Sequence, residues 1–283
     1  MTELVRLQGF DKFYTIPSVV DRCINSLNTL YDWSSWSLVV EPSAGSGNFY
    51  NKIPIDNKIG LDIMPECENI IQKDFFTYYP EPSLDLQSNI LTIGNPPFGR
   101  VSSLAIKFFN HAAKWSQVIA FIIPKTFRKI SVQNKLNNKF HLVLDEDIPT
   151  SPCSFTPPMS VKCCFQIWKK SDLVRENIIL ETSHEDWTFL SYGPLDENGQ
   201  PTPPNGADFA LRAYGGKCGY IQVDGLTNLR PKSWHFIKAN IEVQTLIERF
   251  RSLDYSNSQN TARQNSIGRG ELVSLYSNKY NSN

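Results

Sequence analysis

The sequence predicts an α/β protein with an open, doubly wound, Rossmann-like sheet, followed by a smaller α+β region. Three observations carry that expectation. Short apolar runs recur between Gly, Pro, Asn and Asp, as the buried strands of a parallel sheet do. Segments of helical period stand before and among them. Beyond residue 170 the texture changes to loops rich in Gly, Pro and Asn. The division expected is therefore residues 1–170 and 171–283.

Taken in order, residues 17–30 place Val20, Ile24, Leu27 and Leu30 near helical period, with Pro17 suited to a first turn. Four runs then read as buried strands: SLVV (37–40), KIGLDI (58–63), NIIQKD (69–74) and NILTIG (89–94). A helix is expected at 103–115, a strand at 117–124 and a short helix at 125–137. Two last strands, 140–148 and 159–170, are joined by the Pro-rich turn PTSPCSFTPP. Strand and helix in alternation argue for the doubly wound sheet. Past Lys170, residues 192–206 read as a long loop and 208–223 as a strand-like run with a Gly-Gly turn. Residues 235–251 should pass from strand into helix, and Ser266 could cap a last short helix.

Composition narrows the classes. With 41% hydrophobic and 20% charged residues, the 283-residue chain reads as an ordinary globular protein. No stretch approaches the ~20 uninterrupted apolar residues of a membrane helix. The opening MTELVRLQGFDKFYT lacks the layout of a secretory signal. Six cysteines form no CxxC pair and no metal spacing, which suits reduced thiols in the cytoplasm. No metal is expected. Lys plus Arg balances Asp plus Glu at 28 each, so any nucleic-acid surface must come from local clustering. Composition gives no oligomeric state.

Two motifs carry chemistry. VVEPSAGSGNF (39–49) follows a strand-like run, and Gly45 and Gly47 let backbone approach a ligand closely. By itself this could be a structural turn. Yet Asp62 lies 21 positions after Glu41 at the next strand's end, placed for two ribose hydroxyls. Asp74 and Phe75 close a third strand, placed for an adenine amine and its ring. The loop, with Ser43 inside it, lacks the third glycine of the dinucleotide fingerprint. Glu41 would suit a cation such as a methionine ammonium, which favours S-adenosylmethionine over NAD.

The second motif is GNPPFGR (94–100), at the end of the fourth strand. Pro96 and Pro97 stiffen the turn and remove two donors, leaving the Asn95 side-chain oxygen and the Pro96 carbonyl as acceptors. Two acceptors holding the hydrogens of an exocyclic amine turn its lone pair away from the ring. Phe98 would stack on the base for ~1–3 kcal/mol. The alternative is a turn that merely ends the strand.

EPSAGSG followed by NPPF, with KFYT ahead of both, resembles the S-adenosylmethionine-dependent adenine-N6 nucleic-acid methyltransferases. The resemblance covers residues 10–170 and implies the seven-stranded methyltransferase sheet. It further implies that Phe13, Tyr14 and Thr15 line the methionine end of the cofactor and that Asn95 borders the cofactor as well as the target amine. Ser154-Phe155-Thr156-Pro157 resembles the family's late motif, in which an aromatic closes the pocket on a flipped-out base; the alternative makes Phe155 a turn aromatic on the core. The order of motifs implies target recognition in residues 171–283, where 11 Lys/Arg face 13 Asp/Glu. The resemblance places DNA ahead of RNA as substrate, with a protein glutamine amide behind both.

Overall fold

A computed structural model describes residues 12–81 and 89–280; most of the N-terminal stretch read for a secretory layout, residues 1–11, lies outside them. The chain forms two compact units, residues 1–177 and 178–283.

Among the described residues the first unit's elements start with a two-residue strand β1 (Tyr14–Thr15) and helix α1 (Pro17–Asn28). Pro17 opens the helix, where its missing N–H costs nothing. Val20, Cys23, Ile24 and Leu27 form its buried stripe. Strands β2 (Leu38–Pro42), β3 (Lys58–Asp62), β4 (Ile70–Gln72) and β5 (Ile90–Gly94) follow, then α2 (Ser103–Ala112) and β6 (Val118–Pro124). The short α3 (Ile130–Gln133), β7 (Phe140–Asp147), β8 (Phe155–Thr156) and β9 (Cys163–Lys170) complete it.

Seven strands form one sheet in the order β4-β3-β2-β5-β6-β9-β7. Neighbours from β4 to β6 are parallel, and β9 runs antiparallel between β6 and β7. This is the open, Rossmann-like seven-stranded sheet that the sequence leads one to expect. Alternate strand residues serve opposite faces. Val118, Ala120 and Ile122 pack in the cluster that contains α1, whereas Ile119, Phe121 and Ile123 pack in the one that contains α2. Both faces are thus covered, which is why the strands read as unbroken apolar runs. The strand order reverses at β2 and β5, and in such sheets ligands bind in the crevice beyond the carboxyl ends at that point.

Helices are sparser than strict alternation implies. Only a 3₁₀ turn at Tyr50–Lys52 separates β2 from β3, and no described residue between β3 and β4 is helical. Pro54 and Pro65 account for this, because each removes a donor and blocks the preceding turn of a helix. The expected helix at 125–137 is divided into a 3₁₀ turn, Lys125–Arg128, and α3, with Lys129 extended between them.

The first unit continues past β9. Ser171 N–H donates to Lys139 O and Arg175 N–H to Asn138 O, both over 2.8 Å, and the Arg175 guanidinium lies 5.4 Å from the Trp168 ring.

The second unit holds β10 (Trp187–Phe189), β11 (Phe209–Arg212), β12 (Ile221–Gln222), β13 (Trp234–Ala239), α4 (Val243–Arg251) and α5 (Arg269–Tyr280). Its strands form an antiparallel sheet, order β10-β13-β11-β12. Trp187, Phe209, Ile237, Phe250 and Tyr276 share its main core. Glu242 caps α4 by accepting from Gln244 N–H at 2.9 Å and from Thr245 N–H. The last helix is longer than expected and Ser266 is not its cap. Ser266 bridges to Tyr214, and Gly268 N–H donates to Glu271 Oε2 at 2.7 Å.

Candidate active site

Three of the sequence motifs meet at the switch point. In the loop after β2, Ser43, Gly45 and Gly47 have φ of 57°, 50° and 80°. At Gly45 a Cβ would lie 2.7 Å from the Tyr14 ring, so only glycine lets the two approach. Gly45 N–H donates to Asp62 Oδ2 at 2.8 Å, and Met64 N–H to Asp62 Oδ1 at 2.7 Å. Asp62 therefore ties the end of β3 to the glycine loop, with a lone pair of each oxygen to spare.

Glu41 lies at the carboxyl end of β2 and is 3% exposed. Burial pushes its carboxyl well above the usual carboxylate range, against a hydrogen bond from the backbone of Tyr50; Asp62 and Cys67 add to the rise. Its Oε2 has no hydrogen-bond partner among the described residues. Gly94, at the end of β5, makes room for it: a Cβ there would sit 3.1 Å from Glu41 Cγ.

The Asn95–Phe98 turn follows directly. Asn95 Nδ2 donates to Phe13 O at 3.2 Å, which fixes the amide, while the buried Oδ1 has no partner among the described residues. Pro96 is buried and Pro97 half-buried. Phe98 is half-buried against the α1-side core, and its carbonyl accepts from Leu104 and Ala105 N–H at 3.2 and 3.3 Å. The turn is thereby fastened to the first turn of α2.

The KFYT segment joins the two loops. Phe13 O receives Asn95, and Thr15 O receives Asn48 Nδ2 at 2.8 Å. The Tyr14 hydroxyl donates to Glu66 Oε1 at 2.7 Å, and Lys12 Nζ reaches the same oxygen at 2.9 Å. Burial first, then Glu66, raises the Tyr14 phenol above its ordinary value, while Lys12 and Tyr14 hold the Glu66 carboxyl below its own. Thr15 Oγ1 is buried without a partner among the described residues. β1 also pairs with β8, matching Tyr14 to Thr156 and Thr15 to Phe155.

The structure thus brings Phe13, Tyr14, Thr15, Glu41, Ser43, Gly45, Gly47, Asp62, Asn95, Pro96, Pro97 and Phe98 together beside the carboxyl ends of β2, β3 and β5. Two aromatics depart from the expectation. Phe75, 3% exposed, stacks on Phe108 at 5.0 Å and meets His111 and Trp115 edge-on, so its faces are occupied by the α2-side core. Phe155, 4% exposed, belongs to the α1-side core and presents no open face. Asp74 is exposed, and its Oδ1 accepts from Phe76 N–H at 2.9 Å at the head of a 3₁₀ turn. Conversely, Asn48, inside the motif but given no role by it, holds Thr15 O, and Glu66 and Cys67 border the loop without any sequence pattern to mark them; a Cβ on Gly47 would lie 3.2 Å from Cys67 Sγ.

Among the described residues no helix is long and apolar enough to cross a membrane. No family model and no curated protein sequence matches this chain. Similar solved structures include the 23S rRNA methyltransferase ErmE, at 13% identity and TM-score 0.38 over 57% of this chain and 71% of that one. A putative RNA methyltransferase from Pyrococcus horikoshii shows 14% identity and TM-score 0.42 over 60% and 99%. A putative class I S-adenosylmethionine-dependent methyltransferase from Listeria monocytogenes shows 11% identity and TM-score 0.44 over 58% and 63%.

Proposed function

We propose that this chain is an S-adenosylmethionine-dependent methyltransferase acting on the N6 amine of adenine in DNA. The observation that carries the reading is the buried Asn95 Oδ1, oriented by the bond from Nδ2 to Phe13 and left without a partner among the described residues. An unpaired buried acceptor costs about 1–3 kcal/mol. A ligand's N–H would recover it.

The donor set suits the cofactor. Glu41 Oε2 is a buried acidic oxygen with no partner among the described residues, fitted to a cationic methionine end. Gly45 and Gly47 admit close backbone approach, and Asp62 retains acceptor capacity for ribose hydroxyls. Phe13, Tyr14 and Thr15 would form the wall over the methionine end, and Asp74 would accept from the adenine amine. When bound, the cofactor supplies a methyl group that its sulfonium makes electrophilic.

Asn95 Oδ1 and the Pro96 carbonyl then hold the two hydrogens of the target amine. Each bond draws the nitrogen toward tetrahedral geometry and turns its lone pair out of the ring. The acceptors are positioned before the reaction, so they cost no reorganisation during it. Pro97 stiffens the turn and Phe98, half-exposed, offers a face to the base. The methylated nitrogen sheds its proton to water, so the turn needs no strong base. Residues 171–283 are the proposed target-recognition region.

Labelled methyl transfer from S-adenosylmethionine into DNA, RNA and protein tests the reading. Label in DNA is expected. Label confined to RNA would keep the amine chemistry and replace the polymer; label confined to protein would point to a glutamine amide; no label in any pool would contradict the proposal.

A further inference from the structure

Directly after the Asn95–Phe98 turn the backbone adopts a conformation that its side chains oppose. Gly99, Val101 and Ser102 have φ of 65°, 52° and 59°. Left-handed backbone is natural for glycine, but for a β-branched residue it is a genuine outlier, because the branched Cβ crowds the neighbouring carbonyl. Strain of this kind persists only where the surroundings over-determine it, and it collects at functional sites.

Here both sides are anchored. Phe98 O is held by Leu104 and Ala105 N–H, and a Cβ on Gly99 would lie 2.7 Å from Leu104 Cβ. Ser102 is 3% exposed, with its Oγ 2.6 Å from Thr126 Oγ1 in the turn after β6. Between these anchors the Val101 side chain is pushed outward. At 79% it is the most exposed large apolar side chain described in the first unit. Folding alone gives no reason for valine, since glycine or asparagine would take this backbone more easily and expose no methyl groups.

We infer that Val101 is an apolar wedge that enters the base stack of duplex DNA beside the target adenine. The inference rests on the adenine-methylation reading and extends it to the duplex. An adenine N6 amine inside a duplex reaches a pocket only if the base leaves the stack, and unstacking is costly. Apolar side chains inserted at a base step offset that cost by filling the space. Val101 is three residues beyond Phe98, within about 10 Å along the chain. With bases about 3.4 Å apart in a strand, that reach spans the distance from an extruded adenine to the gap it left. Arg100, exposed beside it, is placed for the adjoining phosphate.

The test compares Val101→Gly and Val101→Asn with the parent protein on matched duplex and single-stranded DNA, following labelled methyl transfer and thermal stability. Both variants accept left-handed backbone, so both should melt no lower than the parent. Transfer to duplex should fall about 10-fold or more in both. Transfer to single strands should stay within about twofold. Equal rates on both substrates, a parallel fall on both, or a parent active on single strands alone overturns the wedge. A parent that methylates adenine in neither form overturns the underlying methyltransferase reading, and the wedge with it.

Discussion

The two units use their polar groups differently. In the second unit charges find partners: Asp186 accepts from Arg249 at 2.9 Å and from the Tyr276 hydroxyl, and Asp208 accepts from Lys238 and from Ala239 N–H, both over 2.8 Å. His235 Nε2 donates to Ile267 O at 2.9 Å. The buried side-chain groups it leaves unpartnered among the described residues are an indole N–H, Trp187 Nε1, and a hydroxyl, Thr261 Oγ1, with no carboxyl or amide oxygen among them. The carboxyl edge of the first unit's sheet does the opposite. Glu41 Oε2, Asn95 Oδ1 and Thr15 Oγ1 are buried without partners among the described residues, and Ser43, Val101 and Ser102 are the non-glycine residues described with positive φ. Unmet acceptors and strained backbone both cost stability. Their concentration at the carboxyl edge of the sheet suits the proposed ligand site, whereas the paired charges of the second unit serve its fold.

Substitutions can break or sharpen that contrast. The largest effect is expected at Asn95. Asn95→Ala should lower methyl transfer by at least about 100-fold, the scale of a lost oriented hydrogen bond in a transition state. Calorimetry should find its cofactor affinity within about threefold of the parent's, because Asn95 is one of many residues placed at the cofactor and most of the others are untouched.

Glu41→Gln should separate stability from function. Cofactor affinity is expected to fall about 10- to 100-fold, as a buried charge partner is lost. The ligand-free protein should nevertheless melt higher. The Glu41 pKa is raised in the fold, so its contribution to stability is full below the unfolded value near 4.5 and is lost as pH rises through the folded value. The variant's advantage should therefore grow with pH. By the same linkage, a cationic ligand favours the ionised carboxyl, so cofactor binding to the parent should release a proton and weaken as pH falls. Calorimetry in buffers of different ionisation enthalpy reads that proton.

Asp62→Ala removes the acceptor of Gly45 N–H and Met64 N–H and should weaken cofactor binding by about 1–2 kcal/mol. The smallest effect belongs to the second unit. Asp186→Asn should cost about 1 kcal/mol of stability, since its partner Arg249 is partly exposed and screened. Its cofactor affinity should not change; a change there would erase the contrast between the units.

Much of this architecture was legible in the chain. Buried parallel strands have to be apolar on both faces, so β2, β3, β5 and β6 stood out between their Gly, Pro, Asn and Asp boundaries. The glycine loop and the proline turn were legible because their chemistry depends on backbone that few residues permit. The β1–β8 pair was not legible, since two-residue strands leave no periodicity and their pairing links positions 14–15 to 155–156. Nor could Phe75 and Phe155 be told from exposed stacking rings. Their burial is decided by α2 on one face and α1 on the other, which no local pattern records. Asn48 and Glu66 acquire their roles only when the chain brings Thr15 and Tyr14 onto the loop. The strain at Val101 is likewise invisible in GNPPFGRVSS, because it arises from the anchoring of Phe98 and Ser102.

The most direct measurement is mass-spectrometric nucleoside analysis of DNA incubated with the protein and S-adenosylmethionine, run beside the Asn95→Ala variant. N6-methyladenine from the parent and none from the variant is the result predicted. N4-methylcytosine in its place, or N6-methyladenine undiminished when Asn95 is alanine, would contradict the account.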